Sequence, residues 1–210
     1  MSNEVTILLL KKALRREIKS ALSETDPGLL ARESLRVCQT VSARAVWQNS
    51  EAILFYAPIQ QEVDIFPLLA DALRKGHTAC LPRYHPQTDL YEAAIVRNIP
   101  TDLVKGPMGV REPRLACPTL PLNRLDFIFV PGVGFDPRGH RLGRGHGYYD
   151  RLLGTTGAIR CGVAYEQQIR SEIPVEPHDI CVDYVATPQR WIVASPHGRT
   201  IKLFRKPNKD

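Results

Sequence analysis

The chain has few cysteines and no two of them close together. Cys38, Cys80, Cys117, Cys161 and Cys181 make an odd, widely spaced set without a CxxC pair. That excludes a disulfide framework and a cysteine zinc site. No apolar run approaches the roughly 20 residues that a membrane span needs. The short apolar stretch Ile7 to Leu10 is followed, not preceded, by Lys11 and Lys12, the reverse of a secretory leader, so a cytoplasmic protein is expected. Internal repeats and low-complexity segments are missing. So is any GxxxxGK string followed by Ser or Thr, which excludes a Walker loop. A GxGxxG dinucleotide loop fails twice, at Pro137 after Gly132 and Gly134, and at Tyr148 after Gly143 and Gly145. No Ser-His-Asp or Cys-His arrangement stands out for nucleophilic catalysis.

What remains suits one globular domain: 210 residues, 43% of them hydrophobic, enough for a sizeable core. Leu10, Leu14, Ile18 and Leu22 recur every fourth residue and predict a helix over about Thr6 to Leu22 with these four on one face. Asp26 before Pro27 reads as the cap and first residue of a second helix reaching about Trp47. Apolar runs predict strands at Ala52 to Ala57, Thr78 to Leu81 (stopped by Pro82), Leu90 to Val96, Asp126 to Val130, Ile159 to Tyr165 and Trp191 to Ala194. Asp64 caps a helix that Gly76 ends, and Ile99 to Leu122, dense in Pro and Gly, reads as a long surface excursion. Strands alternating with helices predict an α/β fold, a single three-layer domain with a mostly parallel central sheet flanked by helices. It is expected to span residues 1–195, with 196–210 a flexible basic tail.

The net charge of +6 is concentrated at the two ends. Lys11, Lys12, Arg15, Arg16 and Lys19 crowd the first, and Arg199, Lys202, Arg205, Lys206 and Lys209 the second. Such a balance fits nucleic acid or a small polyanion such as a nucleotide.

The chemistry concentrates in Pro131 to Leu153, PGVGFDPRGHRLGRGHGYYDRLL. Its order is strand, glycines, helix. Gly143, Gly145 and Gly147 alternate with Arg144 and His146, so the backbone can turn tightly and its amides can approach an anion. Arg141 and Arg144 add full charges, and Leu142 leads into the loop. The stretch reads as a phosphate cradle at the carboxyl end of a strand, where open α/β sheets place ligands. Asp150 follows directly on the first helical turn. A carboxylate beside phosphates is a usual magnesium ligand; the other reading is that it stabilises its own helix N-terminus. Tyr148 and Tyr149 offer ring faces to a flat heterocycle, and on a short helix only one of them is expected to touch a ligand.

This stretch resembles the signature of the 5-formyltetrahydrofolate cyclo-ligases, P-G-x-x-F-D-x-x-G-x-R-L-G-x-G-x-G-Y-Y-D, through Pro131, Gly132, Phe135, Asp136, Gly139, Arg141, Leu142, Gly143, Gly145, Gly147, Tyr148, Tyr149 and Asp150. The likeness extends to KKALR at Lys11 to Arg15, QEVD at Gln61 to Asp64, GVREP at Gly109 to Pro113 and VDYV at Val182 to Val185. It implies ATP as co-substrate and Mg2+ as metal. By resemblance, Lys11, Arg15 and the loop Arg141 to Tyr149 would hold ATP. Ala57, Glu62 and Arg144 to Tyr148 would border the folate. Asp150 and Asp183 would bind the metal, with Arg141, Arg144, His146 and Tyr149 nearest the chemistry. The implied partners are small molecules, in a monomer without nucleic acid or membrane. His146 departs from the Lys or Gly usual at its position. With an unperturbed imidazole pKa of about 6.5, it is expected to make ATP binding weaken more at alkaline pH than in a lysine-bearing relative. Two other readings stay open: a nucleic-acid-binding module that uses the basic ends, and a folate- or nucleotide-binding relative without catalysis.

Overall fold

The computed structural model of the protein describes residues 3–87, 89–106, 109–145 and 147–194. Three helices, α1 (Asn3–Ser23), α2 (Pro27–Ser42) and α3 (Ala45–Gln48), precede the first strand, β1 (Ala52–Leu54). Then come α4 (Phe66–Arg74), β2 (Thr78–His85) and β3 (Leu90–Val96). A stretch of short elements follows: α5 (Ile99–Asp102), β4 (Leu103–Lys105), β5 (Arg111–Pro113) and β6 (Thr119–Leu120). The second half holds β7 (Phe127–Val130), β8 (Gly134–Phe135), β9 (Arg141–Leu142), α6 (Tyr148–Gly154), β10 (Ile159–Val163), β11 (Tyr184–Ala186) and β12 (Trp191–Val193).

Local chemistry accounts for several boundaries. The Asp26 carboxylate accepts the Leu29 N–H at 2.7 Å, with Pro27 as first helical residue, and so starts α2. That helix stops at Ser42, short of the expected Trp47, and α3 carries Trp47 into the core instead. At α4 the N-cap is Ile65 and not the expected Asp64, whose carboxylate accepts the Phe66 N–H at 2.9 Å from one position earlier.

Eight strands form one sheet in the order β12-β11-β10-β7-β1-β2-β3-β6. The inner five, β11 to β2, are parallel, and antiparallel strands close both edges. Side-chain alternation divides the core into two layers. Ile53, Phe55, Phe127 and Phe129 face one cluster with Ile18, Val37, Trp47 and Leu69 from α1 to α4. Leu54, Ile128 and Val130 face the other, with Phe135 and with Leu152 and Leu153 of α6. This is the expected three-layer α/β domain.

Three expectations need correction. Pro82 does not end β2, which runs on to His85. Parallel pairing with β1 stops opposite Cys80, so beyond it β2 has one neighbour, β3, and proline removes no bond from a central ladder. On α1, Ile18 and Leu22 are buried, but Leu10 is 52% exposed and Lys11 only 4%. The first turns of the helix meet the carboxylates of Glu176 and Asp179, which select the cation. The excursion from Ile99 is not featureless. It pairs β4 with β5 and β6 with β3. The basic tail expected at 196–210 lies outside the described residues.

Candidate active site

Past the carboxyl ends of β1 and β7 lies a cavity of about 500 Å³. Tyr56, Ala57 and Glu62 reach it after β1, and Pro131 and Gly132 after β7. The β8–β9 hairpin leads the chain back to the sheet edge, so that Arg141 to Gly145 line the cavity before α6 begins. Gly147, with φ of 66°, makes the left-handed turn into α6 that a side chain would resist. Tyr148, Tyr149 and Asp150 on the first turn of α6 complete that wall. Leu8, Lys11 and Arg15 of α1 close one side. Arg111 and Glu112 of β5, with Val110 just before it, close another.

The structure thus gathers Lys11, Arg15, Ala57, Glu62, Arg141, Leu142, Gly143, Arg144, Gly145, Gly147, Tyr148, Tyr149 and Asp150 around one cavity. His146 lies outside the described residues. Tyr148 and Tyr149 both line the cavity. Tyr148 packs edge-on against Tyr84 and Tyr91, with Arg151 over its face. Tyr149 is wedged between the two core clusters.

Asp183 is not among these residues. It is 1% exposed, immediately before β11, and its carboxylate accepts the Arg160 N–H at 2.8 Å. That is the amino end of a parallel strand, and the cavity lies past the carboxyl ends. Four residues earlier, Asp179 does line the cavity, together with Glu176 and His178. Four extended residues cover up to roughly 13 Å, enough to separate the two aspartates fully. The EPHD string carries three kinds of metal-ligating side chain in four residues. That was the signal in the sequence, and it was missed.

Lys11, Arg141 and Arg144 at the cavity are each paired with carboxylates. Lys11 Nζ donates to Glu176 at 2.7 Å and to Asp179 at 2.5 Å. Arg141 Nη2 donates to both oxygens of Asp150 at 2.8 Å, and the Ile180 N–H adds a bond to Asp150 at 3.3 Å. Arg144 donates through Nε and Nη2 to one oxygen of Glu62, at 3.1 and 2.9 Å. The other Glu62 oxygen accepts the Ile59 N–H at 3.1 Å. Burial holds the Glu62 carboxyl above its ordinary pKa despite Arg144. Arg15 donates to the Gly143 carbonyl at 2.7 Å, which fixes the glycine loop against α1, and burial lowers its pKa. The Tyr149 hydroxyl is buried, has no hydrogen-bond partner among the described residues, and is pushed up in pKa by burial and then by the charge of Glu62. Such a donor is costly to bury unless a ligand satisfies it.

The donors suit two ligands at once. Loop amides with Lys11, Arg15, Arg141 and Arg144 suit a chain of phosphates, and Asp150 with Asp179 offers the hard oxygens that magnesium takes alongside phosphate. Glu62, Tyr149 and the apolar wall of Tyr56, Ala57 and Pro82 suit a flat, hydrogen-bonding heterocycle.

The chain is similar to known proteins of one family. A sequence model of the 5-formyltetrahydrofolate cyclo-ligase family matches residues 9–188. The mouse 5-formyltetrahydrofolate cyclo-ligase is 34% identical over 202 residues, covering 86% of this chain and 95% of its own. The Haemophilus influenzae enzyme of the same name is 30% identical over 175 residues, covering 79% of this chain and 93% of its own. The solution structure of the Aquifex aeolicus 5,10-methenyltetrahydrofolate synthetase is similar with a TM-score of 0.79 at 31% identity, covering 94% of this chain and 96% of that one.

Proposed function

The chain belongs to the 5-formyltetrahydrofolate cyclo-ligase family, and on that premise we propose that it converts 5-formyltetrahydrofolate and ATP to 5,10-methenyltetrahydrofolate, ADP and phosphate. The observation that carries this is one cavity lined both by the glycine loop Arg141 to Gly145 and by Glu62, which Arg144 of that loop touches directly. The formyl oxygen attacks the γ-phosphorus and displaces ADP. A formamide oxygen is a poor leaving group, and phosphorylation makes it a good one. The N10 nitrogen then adds to the activated carbon, loses its proton, and phosphate departs as the ring closes.

No side-chain nucleophile is needed; the protein's contribution is positioning and charge neutralisation. Lys11, Arg15, Arg141 and Arg144 offset the phosphate charge. Glu62 accepts N–H groups of the heterocycle, against the wall that Ala57 shares. The Tyr149 hydroxyl donates to a substrate oxygen. Asp150 and Asp179 would hold magnesium, which when bound neutralises further phosphate charge. Beside the main cavity runs a shallow groove lined by Lys12, Arg15, Arg16, Lys19 and Arg144, suited to the carboxylates of the substrate's glutamate tail. The reading carries with it small-molecule partners, a monomer and a cytoplasmic setting. Among the described residues, no helix is long and apolar enough to cross a membrane.

The test is a spectrophotometric assay that follows the near-ultraviolet band of the methenyl product with 5-formyltetrahydrofolate, ATP and magnesium. Product is expected only when ATP is present, with turnover in Asp150→Asn reduced at least a hundredfold, about 2.7 kcal/mol of lost transition-state stabilisation. A protein that forms no product and binds neither substrate by calorimetry would refute the reading.

A further inference from the structure

Three cations form ion pairs across the cavity, each facing the phosphate region and held by carboxylates suited to a different ligand. Lys11 is held by Glu176 and Asp179, Arg141 by Asp150, and Arg144 by Glu62. The first two carboxylate sets suit a metal ion, which would arrive with the phosphates. Arg144 and Glu62 differ, because they tie the nucleotide side to the heterocycle side. They are 82 residues apart in the chain, so the bond fastens the loop between β9 and α6 to the segment after β1.

The two partners are unequally fixed. The Glu62 side chain is 10% exposed, its second oxygen is bound by the Ile59 N–H, and the preceding Gln61 has φ of 67°, a left-handed backbone that few non-glycine residues adopt. The Arg144 side chain is 40% exposed on a glycine-flanked loop. When a competing anion enters, the arginine is therefore the partner that moves. A triphosphate offers it more charge and more acceptors than the single carboxylate oxygen it now uses.

We propose that the Arg144–Glu62 bond couples the two substrates: a bound triphosphate draws Arg144 away, and the released Glu62 carboxylate becomes an acceptor for the folate heterocycle. The inference rests on the function proposed above. By linkage, each ligand then tightens the binding of the other by the same factor.

The experiment is calorimetry with 5-formyltetrahydrofolate and the β,γ-imido analogue of ATP, each alone and in the presence of the other, with magnesium. Wild type is expected to bind each ligand roughly tenfold more tightly when the other is present. In Arg144→Gln, folate alone should bind about as tightly as it does to nucleotide-loaded wild type, with the coupling lost. In Glu62→Gln, nucleotide alone should bind several-fold more tightly than to wild type, because nothing competes for Arg144, and folate should bind weakly. Coupling that persists in Arg144→Gln would overturn the proposal and point to direct contact between the ligands. Independent binding of both ligands to wild type would overturn it even if neither variant folds. A wild type that binds neither ligand would instead refute the function itself.

Discussion

Asp179 and Asp183 stand four residues apart with opposite fates. The carboxylate of Asp179 faces the cavity and shares Lys11 with Glu176, while that of Asp183 closes the amino end of β11 by accepting the Arg160 N–H. Their variants should therefore separate two readouts. Asp179→Asn is expected to weaken magnesium-dependent nucleotide binding at least roughly tenfold, the scale on which metal-site partners act. Asp183→Asn should leave that binding within about twofold and lower the unfolding free energy by about 1–3 kcal/mol, as loss of a buried acceptor does. Magnesium titrations of nucleotide binding, beside urea unfolding curves, measure both. A metal defect confined to Asp183→Asn would return the ligand role to that residue. The sequence exposed the glycine loop because its cations, glycines and Asp150 are contiguous within one segment, so spacing alone carries the pattern. Asp179 had only the short EPHD string to mark it, and the residue that identifies its surroundings, Lys11, lies 168 positions away. Only the fold brings the two together.

Elements with their own local chemistry were legible in the same way. The Asp26–Pro27 start of α2 and the apolar run that becomes β7 depend on neighbours within a few residues. The β8–β9 hairpin was not, since strands of two residues are too short for alternation to register. Its turn depends instead on Gly139, whose φ is 86° and whose carbonyl accepts the Val182 N–H at 2.8 Å. A Cβ there would lie 2.3 Å from the Val182 carbonyl oxygen and 2.8 Å from the Ala194 side chain. Backbone on both sides of the clash is tied down by that hydrogen bond, so neither can give way cheaply. Gly139→Ala is expected to cost about 3–5 kcal/mol, combining left-handed strain with overpacking. Gly154→Ala, at the end of α6 with nothing within 4 Å, should be neutral or stabilise by up to about 1 kcal/mol. Denaturant midpoints of the two variants give the contrast directly. Equal midpoints would mean that the hairpin is not held against Val182.

Over the whole molecule, the excess of positive charge becomes interpretable once the partnered cations are set aside. Lys11, Arg141 and Arg144 are neutralised within the cavity. Lys12, Arg16 and Lys19 are exposed on α1, line the shallow groove, and have no ion-pair partner among the described residues. Seven residue steps, from Lys12 to Lys19, carry this stripe over roughly 10 Å. The groove shares Arg15 and Arg144 with the main cavity, so these two cations border both. Such a stripe suits the carboxylates at the tail of the folate, and replacing all three cations by glutamine should raise the KM for 5-formyltetrahydrofolate roughly tenfold. Exposed charge pairs are worth about 0.2–1 kcal/mol each, and three acting together reach that factor. The KM for ATP should stay within about twofold, and stability within about 0.5 kcal/mol, because the three side chains hold nothing in the fold. Salt supplies an independent check. Screening shortens to about 3 Å near 1 M ionic strength, so wild type and variant should converge there. If the ATP KM rises and the folate KM does not, the groove belongs to the nucleotide. If neither moves, the cationic face of α1 serves neither substrate, and its charge must be explained by another partner.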